Sequence, residues 1–355
     1  MRDQPLYQSH PTPLTVLWSD LWNHAAASQR VLVGTPGSLL ERQNASGFRY
    51  YARQFYDADR RKREQYVAGP VGDEVADAAA EALRLQIQET QAVVADTRLL
   101  GRSGFQVADS RTWSTVAALQ NHGIFRAGGV LVGSHAFGVL LNQLGVRAPA
   151  YTTEDVDLAR GEALAFDEPP GASLLEMLRT SGIEFVEVPP MRHHDPPTRR
   201  KERGRSRFHV DLLVPSPDDS FPLVAVPELN AFAQGLPWLR YLLAGSQESV
   251  LLAREGCCLV RVPVPERFAV HKLVVSQLRA ERSVKTSKDV FQAAVLLAAL
   301  AENHPGAIEE AIAGLPVSCR TALRTAVAVV TPLLEPRHPA ALEALEGGRA
   351  EPADA

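Results

Sequence analysis

GGVLVGSHAFGVLLNQLGVRAPAYTTEDVDLAR, residues 128–160, decides how the rest of the chain is read. Gly129 to Val132 is a short apolar run of the kind buried within a sheet. Gly133-Ser134 interrupts it as a tight turn, and an apolar helix is expected from about His135 to Leu144. A second strand follows, carrying Asp155 and Asp157. Alternate side chains of a strand share a face, roughly 7 Å apart along the chain. The two carboxylates therefore converge on one patch of solvent, while Val156 and Leu158 enter a core. Downstream, Phe208 to Val214 (FHVDLLV) is a further apolar run, with Asp211 inside it.

A neighbouring strand would set Asp211 beside the pair. Three crowded carboxylates repel one another and call for divalent cations. Mg²⁺ takes a few carboxylates together with phosphate oxygens and water, and two such ions about 3.5–4 Å apart can activate an attacking oxygen and stabilise a leaving one. Asp155, Asp157 and Asp211 are thus the candidate catalytic and metal-binding residues, with Mg²⁺ the expected cofactor and Mn²⁺ an alternative. Gly133 lets backbone approach a phosphate closely. The helix that starts there offers unpaired N–H groups, and the Ser134 hydroxyl is a further donor. Singly, a Gly-Ser before a helix also reads as a helix cap, and an Asp-x-Asp as an acidic strand end. The ordered set carries the specificity. His135 reads as a helix-start residue rather than a base.

With these residues in place, the chain resembles the nucleotidyltransferase superfamily of DNA polymerase β type. The shared pattern is an apolar strand, Gly133-Ser134, the Asp155-Val156-Asp157 strand preceded by Thr152-Thr153, and then Asp211 between apolar residues. The resemblance implies an α/β (α+β) fold, a polymerase β-like nucleotidyltransferase core with a mixed sheet. That core would be flanked by an N-terminal α+β segment and a C-terminal helical part. The overall pattern, including PERFAVHKL at 265–273, is similar to a bacterial family of nucleotidyltransferase-fold proteins. A more distant similarity is to toxin–antitoxin nucleotidyltransferases, through Lys272-Leu273 and Lys288-Asp289. It implies that Lys272 neutralises triphosphate charge, with Gly133 and Ser134 as the other nucleotide-binding residues. A snorkelling surface lysine is the plain alternative for Lys272, and helix capping with an internal ion pair is the reading for Lys288-Asp289.

The implied activity is Mg²⁺-dependent transfer of an NMP from an NTP to an acceptor hydroxyl, with release of pyrophosphate. The acceptor, whether RNA, protein or small molecule, does not follow from the sequence. The alternatives are a non-catalytic nucleotide- or RNA-binding protein, or the nucleotidyltransferase half of a toxin–antitoxin or defence pair with a protein partner.

Length and composition set the outer bounds. At 355 residues, 45% of them apolar, the chain can bury a substantial core. A net charge of −4 supplies no global attraction to nucleic acid. Three cysteines, Cys257, Cys258 and Cys319, have no metal spacing; the adjacent Cys257 and Cys258 read as buried thiols, and the count points to a reducing compartment. No apolar run reaching the ~18–20 residues of a membrane span is expected, and the reading is a soluble cytoplasmic protein with no membrane partner.

The expected domains are residues 1–109 as the α+β segment, 110–226 as the core, 227–346 as the mainly helical part and 347–355 as a disordered tail. Within the first, helices are expected over 12–27 and 73–96, and short strands over 38–66. The aromatic and basic mixture there, with Phe48, Tyr50 and Phe55, reads as a half-exposed meander rather than a nucleic-acid surface. A further helix at 110–122 leads into the first core strand. The basic, Pro-rich stretch 189–207 reads as a solvated hairpin tip or insertion, with a mobile arm for a polyanion as the competing reading. His193-His194-Asp195 has no partner cluster and is not read as a metal site. Pro227 to Leu243 reads as partly helical, 250–253 and 257–262 as paired strands, and Arg279 as sharing a helix face with Lys272.

Overall fold

The computed structural model describes residues 4–149, 153–190, 192, 194–278 and 284–348. Thr152, His193, Arg279 and the tail beyond 348 lie outside them.

After a two-residue strand β1 (Gln8–Ser9), α1 (Thr12–Ala27) opens with Pro13 in its first turn, where the missing N–H is not needed. β2 (Ser38–Gln43), β3 (Arg49–Tyr56) and β4 (Lys62–Ala68) make an antiparallel meander. Much of its basic character is spent internally. Arg42 pairs with Glu64, Arg49 with Glu41 and Arg63 with Asp57. Arg53 is buried and donates to the carbonyls of Val33, Thr35 and Pro36.

α2 (Glu74–Arg102) is longer than its periodicity suggests; its first N–H groups are capped by the Asp73 side chain. Asp109 does the same for α3 (Ser110–Asn121). The centre of the chain then runs β5 (Gly129–Val132), α4 (Gly133–Gln143), β6 (Val146–Arg147), β7 (Asp155–Arg160), α5 (Leu174–Arg179), β8 (Phe185–Glu187), β9 (Arg199–Glu202) and β10 (His209–Pro215). It closes with β11 (Leu223–Val226), β12 (Ala231–Leu236) and the short helix α6 (Leu239–Leu243).

The core sheet has the order β11-β12-β10-β7-β5. β7, β10 and β12 are parallel, whereas β5 and β11 run antiparallel to their neighbours, so the sheet is mixed. One edge of β10 is shared: His209 to Asp211 pair with β9, and Leu213 to Pro215 pair with β12. Alternation fixes the register. Val156, Leu158, Val210 and Leu212 are at most 1% exposed on one face, each worth roughly 1.5–3 kcal/mol of burial. A one-residue slip would exchange them with the carboxylates.

Two expectations need revision. Pro227 to Leu243 is helical in part, as expected, at Pro227–Leu229 and in α6, but between them Ala231, Ala233 and Gly235 are buried at alternate positions of β12, which joins the core sheet past residue 226. The 189–207 stretch is not all insertion, since its distal part is β9, with Arg200 only 1% exposed and donating to the carbonyls of Thr198 and Phe232.

β13 (Ser246–Ala253) and β14 (Gly256–Pro263) pair around the Glu255-Gly256 turn. The remainder is helical: α7 (Pro265–Leu278), α8 (Val284–Asn303), α9 (Ala307–Ala313), α10 (Arg320–Leu334) and α11 (Pro339–Gly347). The three cysteines are free and buried, and burial pushes the Cys257 thiol up to about 12. Contrary to expectation, one stretch among the described residues, Val317–Leu334, is long and apolar enough to cross a membrane by length and composition. Its Leu323, Val327, Val330 and Leu334 are buried in the protein core.

The segment before β1 meets the C-terminal helices. The Leu6 N–H donates to His338 Nε2 at 3.1 Å, which leaves the ring proton on Nδ1 to face Glu302 at 2.8 Å. Tyr7 donates to the same Glu302 carboxylate.

Candidate active site

Register builds the site. β7 and β10 pair in parallel, with Asp155 opposite His209 and Asp157 opposite Asp211. On the far side of β7, Val132 stands opposite Asp157. On the far side of β10, Arg199 stands opposite Asp211 and Lys201 opposite His209. One row across the sheet therefore reads Val132, Asp157, Asp211, Arg199, and the row two residues earlier carries Asp155, His209 and Lys201. The three aspartates occupy one face, as the two-residue spacing requires.

The Gly133 turn packs directly on this row. Its φ is +69°, and a Cβ placed there would lie 2.1 Å from Asp157 Oδ2. Glycine is needed both for the backbone conformation and for the carboxylate behind it. α4 begins at this glycine, so its free N–H end adjoins the acidic face. Ser134 is half-buried, and its hydroxyl makes no hydrogen bond among the described residues.

The electrostatics divide the carboxylates. Burial, then the charges of Asp155 and Asp211, push the Asp157 carboxyl up to about 7, against the pull of Lys272 and His209. Burial alone would also raise Asp211, but it is outweighed by His209 and Arg199, which hold Asp211 below its usual range. The Arg199 guanidinium donates through Nε to Oδ1 at 2.7 Å and through Nη2 to Oδ2 at 2.9 Å. His209 places Nε2 3.6 Å from Oδ2, and its Nδ1 meets the Arg207 carbonyl at 2.7 Å. The Asp211 contact raises the His209 ring against the effect of burial. His135 is lowered by burial, so at neutral pH its ring is neutral. Among the described residues, no three His, Cys, Asp or Glu side chains are gathered closely enough to hold a metal ion as they stand.

Lys272, on α7, pairs with Asp289, on α8, at 2.7 Å; the two side chains are only 14% and 5% exposed. The internal pair read for Asp289 is thus made with Lys272. The Lys272 charge nonetheless acts on Asp157. Lys288 interacts with Asp155 and is lowered chiefly by burial. Arg199 and His209 are site neighbours that sequence reasoning did not single out, and Lys288 is read from sequence only as a capping or ion-pair residue. His209 was open to discovery, two residues before Asp211 on the same strand face. Arg199 had no such local signal.

Two cavities flank the carboxylates. One, of about 510 Å³, is lined by Asp157, Asp211, Arg199 and Gln234. The other, of about 480 Å³, is lined by Ser134, His135 and Thr153.

A nucleotidyltransferase family model matches residues 110–315, more than half of the chain and the whole of the sheet just described. The protein belongs to this nucleotidyltransferase family. It is an enzyme of that class, and its donor substrate is an NTP. No curated protein and no solved structure matches the chain.

Proposed function

We propose that the sheet is a polymerase β-like core and that this enzyme moves an NMP from an NTP to an acceptor hydroxyl, releasing pyrophosphate. The observation that carries the reading is the sheet row in which Asp157 lies between the Gly133 turn and Asp211, with Asp155 on the same face.

The donor set fits Mg²⁺ by its chemistry. Three carboxylates share one face, and a cation there would offset the repulsion by Asp155 and Asp211 that adds to burial in raising Asp157. Asp155 and Asp157 would hold the ion, and Asp211 would join them when Arg199 releases it. Bound there, Mg²⁺ supplies charge neutralisation at the reacting phosphate and at the attacking oxygen.

The rest falls to the chain's own groups. Gly133 and Ser134, at the start of α4, receive the β- and γ-phosphates through backbone N–H groups and a hydroxyl. Lys272 adds positive charge behind Asp157, opposing the charge that builds on the departing pyrophosphate. Asp211, freed from Arg199, accepts the proton of the acceptor hydroxyl. The acceptor oxygen bonds to the α-phosphorus as the bond to the β-phosphate oxygen breaks. Positioning and electrostatics carry such a reaction.

The test is the thermal stability of the wild type and of Asp155→Asn/Asp157→Asn with each NTP, with and without Mg²⁺. A ligand that binds only the folded state raises apparent stability. A metal-dependent shift with at least one NTP, lost in the variant, is the expected result. A variant that keeps the full shift and full turnover removes these aspartates from the site.

A further inference from the structure

The cavity beside Ser134 does not end at the turn. Arg60 and Arg254 line it, and both also line an adjoining cavity of about 700 Å³ that continues to Arg98, Arg102 and Tyr56. The two spaces form one groove running outward from Ser134, His135 and Thr153.

Its charge is unbalanced. Arg60, Arg98, Arg102 and Arg254 are all exposed, and none makes an ion pair among the described residues. The acidic groups along the same walls are fewer, and each has at least one hydrogen-bond donor within the fold. Asp57 accepts from the backbone N–H groups of Asp59 and Arg61 and pairs with Arg63. Asp109 caps α3 through the N–H groups of Arg111 and Thr112 and accepts from the Thr112 hydroxyl. Glu255 accepts from the Ser110 hydroxyl through Oε1, while its buried Oε2 has no hydrogen-bond partner among the described residues. Four free guanidinium groups therefore face a space that leads to the turn expected to hold phosphates.

Arg60 is held there at a conformational cost. It sits at the tip of the β3–β4 hairpin with φ +60°, a left-handed conformation unfavourable for a residue with a long side chain. The Asp57 contacts enforce that turn. Asp59 next to it reaches Arg111 of α3 at 2.8 Å, and Arg111 lies 3.2 Å from Glu202 of β9. The tip is thereby latched to the core, and Arg60 is delivered to the cavity wall rather than to bulk solvent.

We propose that this groove is a phosphate-chain channel in which Arg60 and Arg254 hold the triphosphate end of the donor and Arg98 and Arg102 draw pyrophosphate outward. The assignment rests on the Gly133-Ser134 reading given above and extends it to four residues of other elements. Contiguous phosphates also occur along a nucleic acid strand, but the groove favours the small ligand. A single strand is held by rings in series, whereas among the described residues these two cavities are lined by the aromatic rings of Tyr56 and His135 alone. The net charge of −4 gives no long-range pull on a long polyanion.

The experiment is calorimetric titration of the full chain with inorganic tripolyphosphate in the presence of a chelator, which keeps the carboxylate metal site out of the measurement. Arg60→Asn, Arg254→Gln, Arg60→Lys and the remote exposed Arg324→Gln are compared with the wild type, and a melting curve checks the fold of each. Asn suits position 60 because it tolerates the left-handed conformation. Wild type and Arg324→Gln are expected to bind alike, Arg60→Lys to retain most of the affinity, and Arg60→Asn and Arg254→Gln each to lose about tenfold or more, the scale of a charge-assisted contact. In turnover, the losses appear as a raised KM for NTP with kcat largely kept. Folded Arg60→Asn and Arg254→Gln variants that bind tripolyphosphate like the wild type overturn the channel. So does arginine-dependent binding of a single-stranded oligonucleotide without binding of tripolyphosphate. If tripolyphosphate binding depends on the arginines while no NTP gives a Mg²⁺-dependent shift, the channel stands and the metal-site reading fails.

Discussion

Arg199 grips both carboxylate oxygens of Asp211, at 2.7 and 2.9 Å, from the strand position directly across from it. The same Asp211 lies opposite Asp157 in the parallel pair. The guanidinium thus supplies, from the protein itself, the positive charge that a third metal-binding carboxylate calls for. Bidentate geometry makes this a specific contact, while the 52% exposure of Arg199 keeps it reversible.

Arg199→Ala releases Asp211 for metal. The Mg²⁺ concentration needed for half-maximal stabilisation is expected to fall by about tenfold relative to wild type, the scale of one charge-assisted contact. A Mg²⁺ titration followed by melting temperature reads this directly. An unchanged midpoint would mean that Arg199 does not compete with the ion.

Gly133→Ala meets two obstacles: a Cβ 2.1 Å from Asp157 Oδ2 and a φ of +69°. The expected loss is about 1–3 kcal/mol from the backbone conformation, with more if Asp157 cannot move aside. Urea unfolding measures it, and an unperturbed midpoint would show that the turn relaxes freely.

The Asp157 carboxyl, raised from 3.8 to about 7, couples folding to pH. The folded chain holds this proton more tightly than the unfolded chain does. Its contribution therefore makes metal-free stability fall as pH rises from about 4 through about 7, with a slope of up to about 1.4 kcal/mol per pH unit. Mg²⁺ competes with the proton, so stabilisation by the ion grows over the same window. Asp157→Asn is expected to lose this part of the slope. Parallel denaturation series from pH 4 to 8 for both proteins make the comparison, and identical profiles would remove Asp157 as the source.

Lys272→Met removes the 2.7 Å ion-pair partner of Asp289, a side chain only 5% exposed that also interacts with Lys288. Removing one member of a buried pair costs about 3–5 kcal/mol, so the variant is expected to melt well below wild type. A loss of activity in it would mix stability with chemistry. Lys272→Arg, which keeps the charge, separates the two: its melting temperature is expected to return toward wild type. Equal melting temperatures for wild type and Lys272→Met would show that the other interactions of Asp289 suffice to hold it.

Local pattern made much of the core legible. The apolar run at 129–132, the glycine turn, the helix after it and the aspartates at 155, 157 and 211 each lie where periodicity and spacing put them. Within Pro227 to Leu243, residues 231–236 include no β-branched side chain, so local preference does not favour a strand there. Burial of Ala231, Ala233 and Gly235 against the sheet overrides that preference.

Which residues surround the aspartates was settled by pairing between segments distant in sequence. Arg199 sits beside Asp211 because β9 pairs with β10, Lys272 meets Asp289 because α7 packs on α8, and Arg60 reaches the Ser134 cavity through the hairpin tip latched at Arg111. The sequence by itself determined the strands that carry the carboxylates, the face they share and the need for glycine at the turn, since these follow from periods of two and 3.6 residues and from allowed φ. The partners of each charge were decided by tertiary structure alone, because Coulombic and hydrogen-bonding contacts act through a few ångströms of space and take no account of separation along the chain.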